Sequence, residues 1–383
     1  MGEINVIITS KDNCTGCAAC VNVCPAKCIS MTQDTDGFLY PAINEEKCIL
    51  CGLCKKICNV EEKSSGKIEA YACYNQQKEE RLKSSSGGIF AVLAKEILKK
   101  NGVVFGVKMN GIEAEHTYIE CVEDLDKLLG SKYIQSNVGL TYNKVKTFLE
   151  QGREVLFCGT PCQVAALNKV LQKKYDNLLL VDFICHGISS PEIFRQYIKE
   201  IHLEDKKIKN ISFRDKTEGW NNFSLRMDVE GQDCYRKNMQ EDIFLQSFLK
   251  NMNLRTSCFS CKHRTVNRIS DLTLGDFWGS KEVFDDWKEE KGYSVVLIQS
   301  KKGERIFQDI KKSITYKNVE IEKIVEYNQS LLVSPWDEFS KDLFFKYVKK
   351  NTIKNSIKKV EQDGVRKKIG RKWWKIWKKL RKR

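Results

Sequence analysis

Cys14-Thr-Gly-Cys17-Ala-Ala-Cys20-Val-Asn-Val-Cys24-Pro25 and Cys48-Ile-Leu-Cys51-Gly-Leu-Cys54-Lys-Lys-Ile-Cys58-Asn59 are the two stretches that decide the fold of the amino-terminal part of the chain. In each stretch three cysteines are spaced by two residues, and a fourth follows after three more. Three thiolates at this spacing bind three irons of one 4Fe–4S cubane, and the fourth binds the other cluster. The pattern therefore predicts two clusters, one held by Cys14, Cys17, Cys20 and Cys58 and the other by Cys48, Cys51, Cys54 and Cys24.

Zinc is the alternative for these eight cysteines. Structural zinc sites use four ligands arranged as two pairs, and two runs of four evenly stepped cysteines exceed that pattern. We therefore predict that residues 1–62 form a small α+β dicluster ferredoxin-like domain. Two further cysteines, Cys28 and Cys73, fit no ligand position, and we predict that they are small core residues.

Composition limits the class of protein. The chain has 383 residues and 17 cysteines, an odd number whose tight spacing indicates metal ligands more than disulfides. No apolar run approaches the length of a membrane-spanning helix. We therefore expect a cytoplasmic protein.

Charge is concentrated at the carboxyl end. Residues 354–383 hold 14 Lys and Arg and two acids, which is +12 of the +15 total and leaves +3 for the rest. The body is nearly neutral, so we expect no nucleic-acid partner. In the tail, apolar residues fall on one helical face between Lys and Arg, which predicts contact with the inner, anionic face of a membrane. The alternatives are a disordered tail and one that binds an acidic partner.

From residue 68 onwards, strand and helix patterns alternate. Strands are predicted at 70–74, 103–107, 154–158, 178–184 and 293–299, and helices at 87–100, 141–150, 162–172, 191–201 and 303–312. This alternation is typical of βαβ units. We predict an α/β domain made of an amino-terminal part, 68–150, and a carboxyl-terminal part, 151–345, separated from the first domain by a polar linker at 61–67.

The α/β region contains a second group of cysteines. Cys162 and Cys185 follow predicted strands, where ligands of α/β sheets gather, and Cys258-Phe-Ser-Cys261 would close over them. We predict that a third 4Fe–4S cluster is held by Cys162, Cys185, Cys258 and Cys261. The alternatives from the residues alone are a zinc half-site with His263, a redox dithiol, and buried thiols without a ligand role.

Five motifs in this order resemble the beta-subunit family of coenzyme F420 (deazaflavin) hydrogenases and dehydrogenases. They are Lys83-Ser-Ser-Ser-Gly-Gly-Ile-Phe90, Gly130-Ser-Lys-Tyr-Ile-Gln-Ser136, Gly159-Thr-Pro-Cys-Gln163, Cys185-His-Gly187 and Ser270-Asp-Leu-Thr-Leu-Gly-Asp-Phe-Trp-Gly279. The resemblance covers roughly residues 68–300, and an amino-terminal dicluster fusion also occurs in that family. It implies an α/β flavin and iron–sulfur domain that binds FAD beside a 4Fe–4S cluster.

The residues of these motifs agree with a flavin site. Ser84, Ser85, Ser86, Gly87 and Gly88 precede a predicted helix, whose positive end suits a pyrophosphate. Lys132 would neutralise a phosphate, and Thr160 and Gln163 would hydrogen-bond the flavin ring. A plain helix cap is the alternative for 84–88. His186 is either a proton donor to the flavin or a turn histidine, and Asp271, Asp276 and Trp278 are predicted turn or core residues.

The resemblance predicts an iron–sulfur flavoprotein oxidoreductase. Electrons would pass between a ferredoxin, or another redox subunit, and a small-molecule hydride donor or acceptor, because a flavin exchanges both single electrons and hydride. A non-catalytic electron-carrier subunit and a zinc-binding scaffold are the alternatives. No dinucleotide or P-loop glycine motif is present.

Overall fold

The computed structural model of the chain describes residues 8–58 and 68–363. The cysteine-rich domain contains two short helices and a hairpin: α1 (Ala19–Val23), β1 (Ile29–Gln33), β2 (Leu39–Ile43) and α2 (Leu53–Cys58). Strands β1 and β2 pair antiparallel, with Ile29 opposite Ile43. The predicted small α+β domain is confirmed, and the predicted linker at 61–67 lies outside the described residues.

The body alternates strands and helices through its first half, as the sequence predicts. The elements from residue 68 to residue 200 are β3 (Glu69–Asn75), α3 (Lys78–Lys83), α4 (Ile89–Lys99), β4 (Val103–Asn110), β5 (Glu113–Ile119), α5 (Thr141–Glu150), β6 (Val155–Cys158), α6 (Pro161–Leu171), β7 (Leu178–Phe183) and α7 (Pro191–Glu200). Helix α7 begins where Ser190 caps it by accepting from the backbone N–H groups of Glu192 and Ile193, and Pro191 supplies the first turn.

The second half of the body is more mixed. Its elements are β8 (Ile208–Asp215), β9 (Ser224–Val229), β10 (Tyr235–Asn238), α8 (Ile243–Leu249), β11 (Leu272–Asp276), α9 (Ser280–Val283), β12 (Ser294–Ile298), α10 (Lys301–Ile310), β13 (Ile314–Asn318), α11 (Ile321–Tyr327), α12 (Glu338–Val348) and α13 (Ile353–Gln362). Strands β8, β9 and β10 form a small antiparallel sheet of their own.

One mixed sheet of eight strands organises the body, in the order β13-β3-β12-β11-β7-β6-β4-β5. The four central strands, β11, β7, β6 and β4, run parallel to one another. The flanking pairs β11–β12, β12–β3, β3–β13 and β4–β5 are antiparallel. The carboxyl ends of the parallel strands therefore meet at one edge, where Cys158 ends β6 and Cys185 follows β7.

The cysteine-rich domain packs against this edge and shares a core with the body. Ala18, Ala19 and Ile57 pack with Tyr142 of α5 and Val164 of α6. Polar contacts also cross the interface. The amide of Asn22 donates to the carbonyl of Gly139 at 2.9 Å, and the N–H of Leu39 donates to Oε1 of Gln135 at 2.8 Å.

The predicted basic tail is described only in its first part. Residues 353–362 form α13, whose Ile353, Ile357 and Val360 are buried against α7, α8 and α12. Residues 364–383 lie outside the described part of the chain, so the predicted membrane contact stays a prediction. None of the helices within residues 8–58 and 68–363 is both long and apolar enough to span a membrane.

Candidate functional site

Four thiols of the cysteine-rich domain lie together as the first thiol set: Cys14, Cys17, Cys20 and Cys58. Burial, and then the neighbouring thiols of Cys17, Cys14 and Cys58, raise the pKa of Cys20. The pKa of Cys58 is raised by burial and then by Cys17 and Cys14. These mutual effects mean that the four sulfurs occupy one neighbourhood.

The loop that carries this set needs left-handed backbone. Gly16 has φ +70°, and Ala18 has φ 60°. A Cβ at Gly16 would collide with the amide of Gln135 and the guanidinium of Arg255 from the body. Gly16 therefore serves both the tight turn between Cys14 and Cys17 and the close approach of the two domains.

A second thiol set borders one cavity: Cys24, Cys48, Cys51 and Cys54. Cys28 borders the same cavity, with its Sγ 3.4 Å from Sγ of Cys24. The prediction that Cys28 is buried is confirmed, although it faces the cavity as well as the core. Cys73, in β3, is fully buried as predicted.

The third thiol set lines a separate cavity between the body and the cysteine-rich domain: Cys162, Cys185, Cys258 and Cys261. Cys162 lies in the first turn of α6, Cys185 follows β7, and the other two lie in and just after a 3₁₀ turn, Thr256–Ser260. Thr15 of the cysteine-rich domain completes the wall. Burial raises the pKa of Cys185 and of Cys258 to about 12.

The cavities suit a group larger than a single ion. Within residues 8–58 and 68–363, no group of three or more His, Cys, Asp or Glu side chains is placed to hold one metal ion. Four thiols around a space fit a polynuclear cluster, whereas zinc draws its sulfurs to about 2.3 Å from one point. His263, the ligand in the alternative zinc half-site, lines the third cavity, and burial lowers its pKa to about 4.

The first and third thiol sets are neighbours across the domain interface. Burial is the main cause of the raised pKa of Cys162, and Cys17 of the first set adds to it. Tyr142 lies between the two sets, since Cys17, Cys162 and Cys20 all add to the effect of burial on its pKa. An electron donor at the first set would therefore lie next to an acceptor at the third.

The serines among the predicted flavin residues at 84–88 form hydrogen bonds with other residues of the fold. Ser84 donates to the carbonyl of Glu80 at 2.8 Å, and Ser86 donates to the carbonyl of Tyr293 at 2.5 Å. The hydroxyls of Ser85 and Ser131 pair at 2.7 Å, which brings this motif beside Lys132. Gly88 caps α4 with φ 83°, and a Cβ at Gly87 would lie 2.6 Å from the carbonyl oxygen of Cys73.

Lys132 is a buried cation whose hydrogen bonds go to backbone carbonyls. Its Nζ donates to the carbonyls of Leu128 at 3.1 Å and Leu129 at 2.7 Å. Burial lowers its pKa to about 7, and nearby Cys158 acts in the opposite direction. Burial therefore disfavours the charged form of Lys132, and a bound anion would favour it.

Thr160 and Gln163 form the capping box that begins α6. The backbone N–H of Thr160 donates to Oε1 of Gln163 at 3.0 Å, and the Gln163 amide donates to Oγ of Ser136 at 3.1 Å. The hydroxyl of Thr160 lies 3.1 Å from Sγ of Cys162. The capping box thus fixes the start of α6, and Thr160 alone contacts a thiol of the third set.

His186 directly follows Cys185 of the third thiol set, and its ring packs on aromatic residues of the body. Its ring centroid is 5.0 Å from that of Phe248, which stacks on Tyr133 at 4.4 Å. Its Nε2 is buried and has no hydrogen-bond partner among the described residues. Burial, and then Arg264, lower its pKa.

Sequence reasoning missed a cluster of charged and aromatic residues beside Ser85. We call it the arginine–tryptophan cluster: Arg214, Lys216, Trp220, Asp276 and Trp278. Nη1 of Arg214 lies 2.7 Å from Oδ2 of Asp276, and its guanidinium is 4.8 Å from the Trp278 ring. Trp278 stacks on Trp220 at 4.5 Å, and the indole N–H of Trp220 donates to the carbonyl of Ser85.

Several polar atoms of this cluster make no hydrogen bond of normal geometry to a described residue. They are Nε and Nη2 of Arg214 and Oδ1 of Asp276, all buried, although the Tyr133 hydroxyl is a hydrogen-bonding neighbour of Arg214. Asp276 and Trp278, predicted as turn or core residues, belong to this cluster, whereas Asp271 accepts from the Leu180 N–H and the Ser300 hydroxyl. Arg214 lies near the end of β8 and Lys216 just after it, and the register shift between Ser212 and Asp215 hides the strand pattern that would have grouped them.

Comparison with known proteins confirms the predicted resemblance. Residues 152–324 match the carboxyl-terminal family of the coenzyme F420 hydrogenase/dehydrogenase beta subunit, and residues 13–61 match the 4Fe–4S dicluster domain. The uncharacterized protein MJ1349 of Methanocaldococcus jannaschii is 26% identical over 362 residues, covering 83% of this chain and 94% of its own.

Two further similarities cover different extents of the chain. An uncharacterized polyferredoxin-like protein of the same organism, MJ1302, is 42% identical over 58 residues, 13% of this chain and 34% of that protein. A xenon-derivatized structure of the F420-reducing NiFe hydrogenase complex from Methanosarcina barkeri aligns with a TM-score of 0.44 and 17% identity. This alignment covers 79% of this chain and 93% of that one.

Proposed function

We propose that the chain is an iron–sulfur flavoprotein oxidoreductase, because residues 13–61 match the 4Fe–4S dicluster domain and residues 152–324 match the carboxyl-terminal family of the coenzyme F420 hydrogenase/dehydrogenase beta subunit. It would pass electrons between a redox partner and a small-molecule hydride donor or acceptor. The observation that carries the proposal is the adjacency of the first and third thiol sets across the domain interface.

The three thiol sets would hold three 4Fe–4S clusters. Cys14, Cys17, Cys20 and Cys58 would bind the first, Cys24, Cys48, Cys51 and Cys54 the second, and Cys162, Cys185, Cys258 and Cys261 the third. Burial raises the pKa of Cys162, Cys185 and Cys258 and so favours their protonated thiols without a metal, and binding a cluster there releases protons. Bound clusters exchange single electrons, and a bound flavin exchanges both single electrons and hydride.

FAD would occupy the space near Ser85, Lys132 and the arginine–tryptophan cluster. The buried guanidinium of Arg214 supports this position, because its Nε and Nη2 make no hydrogen bond of normal geometry to a described residue and a phosphate accepts two such bonds at once. Burial lowers the pKa of Lys132, and a bound phosphate would stabilise its charged form. Ser84, Ser85, Ser86, Gly87 and Gly88 would form the backbone wall, whereas Thr160 and Gln163 would act through Cys162.

His186 would hold the proton that accompanies hydride transfer. Its unpartnered Nε2 and its location between the third thiol set and Phe248 support this role. Burial, and then Arg264, lower the pKa of the imidazole, which favours its neutral, proton-accepting form.

The second thiol set would be the contact point for the redox partner. Cys51 is exposed, and so are the neighbouring Ile49, Leu50 and Leu53. The lysines around them, Lys47, Lys55 and Lys56, are exposed too and outnumber Glu45 and Glu46. An acidic iron–sulfur protein such as a ferredoxin matches that surface.

A non-catalytic electron-carrier subunit is the second candidate. One observation favours it: the hydroxyls of Ser84, Ser85 and Ser86 already have partners within the fold, so the motif has a structural role without a flavin. The two functions differ in whether a flavin is bound.

Flavin extraction from anaerobically purified protein separates them. The oxidoreductase proposal predicts about one FAD per chain, bleached when a reduced ferredoxin is added and reoxidised by a hydride acceptor such as a deazaflavin. Full iron content with no flavin would instead identify an electron carrier.

A further inference from the structure

Arg255 is a fully buried arginine at the interface between the two domains. Its Nε donates to the carbonyl of Cys14 at 2.8 Å, and its Nη1 donates to the carbonyl of Leu39 at 3.0 Å. Its Nη2 lies 3.5 Å from Sγ of Cys14. The guanidinium also stacks on the ring of Tyr40, 3.9 Å from the centroid. The Arg255 side chain of the body thus contacts the loop that carries the first thiol set.

The backbone of Arg255 holds the third thiol set. Its N–H donates to the carbonyl of Ile188 at 3.0 Å, and its carbonyl accepts from the N–H of Cys258 at 3.0 Å. It is also the residue from which the 3₁₀ turn Thr256–Ser260 begins. Arg255 therefore connects Cys14 of the first set to Cys258 of the third through a single residue.

None of the hydrogen-bond acceptors of Arg255 is a carboxylate that would balance its positive charge. These acceptors are two backbone carbonyls, the Cys14 sulfur and, at 3.5 Å, Oε1 of Gln135. Burying a guanidinium without an anionic partner is costly. A thiolate-ligated cluster at the first set would supply the negative charge that the cation lacks.

We propose, building on the proposed function, that Arg255 is a positioning residue that raises the reduction potential of the cluster held by Cys14, Cys17, Cys20 and Cys58. Uptake of one electron adds one negative charge to that cluster, and a buried cation beside a ligand sulfur stabilises the added charge. Hydrogen bonds to sulfur and local net charge are the quantities that set such potentials. Arg255 thereby sets the driving force for transfer between the first and third sets.

Redox titration of the anaerobic full-length protein, followed by electron paramagnetic resonance, tests this. The signal of the first cluster is assigned by its loss in Cys20→Ala. In Arg255→Gln we expect the equilibrium constant for its one-electron reduction to fall about tenfold, which is about 59 mV. Arg255→Lys should keep most of the wild-type potential. Arg153→Gln, at the opposite end of β6 beside Asn101 and Glu120, should leave it unchanged.

Gln135→Glu is the second variant, in case Arg255→Gln fails to fold. It keeps the acceptor for Leu39 and Arg255 and removes an Nε2 that has no partner among the described residues. The new carboxylate neutralises Arg255, so the potential should fall here too. An unchanged potential in either variant at wild-type iron content would overturn the inference. Wild-type protein without clusters would instead sink the proposed function.

Discussion

The hydroxyl of Tyr142 donates a hydrogen bond of 2.8 Å to the backbone carbonyl of Cys17. Burial raises the pKa of Tyr142 well above its usual value, so the phenol stays protonated and remains a donor. The bond joins α5 of the body to the cluster-binding loop and lies between the first and third thiol sets. The domain interface therefore lies between two of the three thiol sets that we propose as cluster sites.

Tyr142→Phe should destabilise the protein by about 1–2 kcal/mol, because the carbonyl of Cys17 is left buried without its donor. Denaturant unfolding of the anaerobic holoprotein measures the change. Tyr118→Phe is the matched control, since Tyr118 packs through its ring against Phe148, and it should cost under about 0.5 kcal/mol. Equal stability of the Tyr142 and Tyr118 variants would show that the interface bond contributes nothing.

Cys162→Ala should remove only the third cluster and lower the iron content from about twelve to about eight per chain. Cys158→Ala is the control. Cys158 is the last residue of β6, just before the turn into α6, and it does not line the third cavity. Iron and sulfide analysis distinguishes the two variants. Loss of iron in both, or in neither, would contradict the assignment of the third set.

The sequence predicts the elements better than their pairing. Apolar runs predict strands near 70–74 and 293–299, and both exist as β3 and β12. Strand β3 lies between β12 and β13 and runs antiparallel to both. This order could not be predicted, because it depends on contacts between residues that are hundreds of positions apart in the sequence. The small sheet β8–β10 was missed because bulges break the alternation of β8.

Arg214→Gln should weaken FAD binding about tenfold to a hundredfold, because two charge-assisted hydrogen bonds to a phosphate are lost. Equilibrium dialysis against FAD measures this. Arg226→Gln removes a partly exposed arginine that pairs with Asp215 and Asp228, and it should bind FAD normally. If Arg214→Gln binds FAD as tightly as the Arg226 variant, the arginine–tryptophan cluster is not the flavin site.

FAD affinity should fall as pH rises above 7. Burial lowers the pKa of Lys132 to about 7 in the free protein, and a bound phosphate would raise it, so FAD prefers the protonated form. Affinity is full below pH 7 and falls about tenfold per pH unit above it, until the pH exceeds the pKa of the complex.

Fluorescence titration between pH 6 and 9 follows this dependence. Lys132→Gln should bind FAD more weakly and with a flatter pH profile. Lys127→Gln, which removes only an exposed partner of Asp124, should keep the wild-type slope. A Lys132 variant with the wild-type pH profile would exclude Lys132 from the phosphate site.

For the candidate site, sequence spacing predicts groups of residues that are close in the chain, but it cannot predict contacts between residues that only the fold brings together. Cys14 to Cys24 and Cys48 to Cys58 follow a fixed local geometry, so their grouping could be stated in advance. Arg255 contacts Cys14 across 241 positions of sequence, and Arg214 meets Asp276 across 62. Neither pair has a local pattern. Thr160 and Gln163 were predicted to hydrogen-bond a flavin, which stays a prediction, and their capping box at the start of α6 could not be stated before the helix start was known.

The most direct measurement is the metal and sulfide content of the full-length protein purified without air, together with its spectrum before and after dithionite. Three cluster sites predict about twelve irons, about twelve acid-labile sulfides and a brown colour that bleaches on reduction. A colourless protein loaded with zinc, with neither sulfide nor a reducible chromophore, would contradict the account.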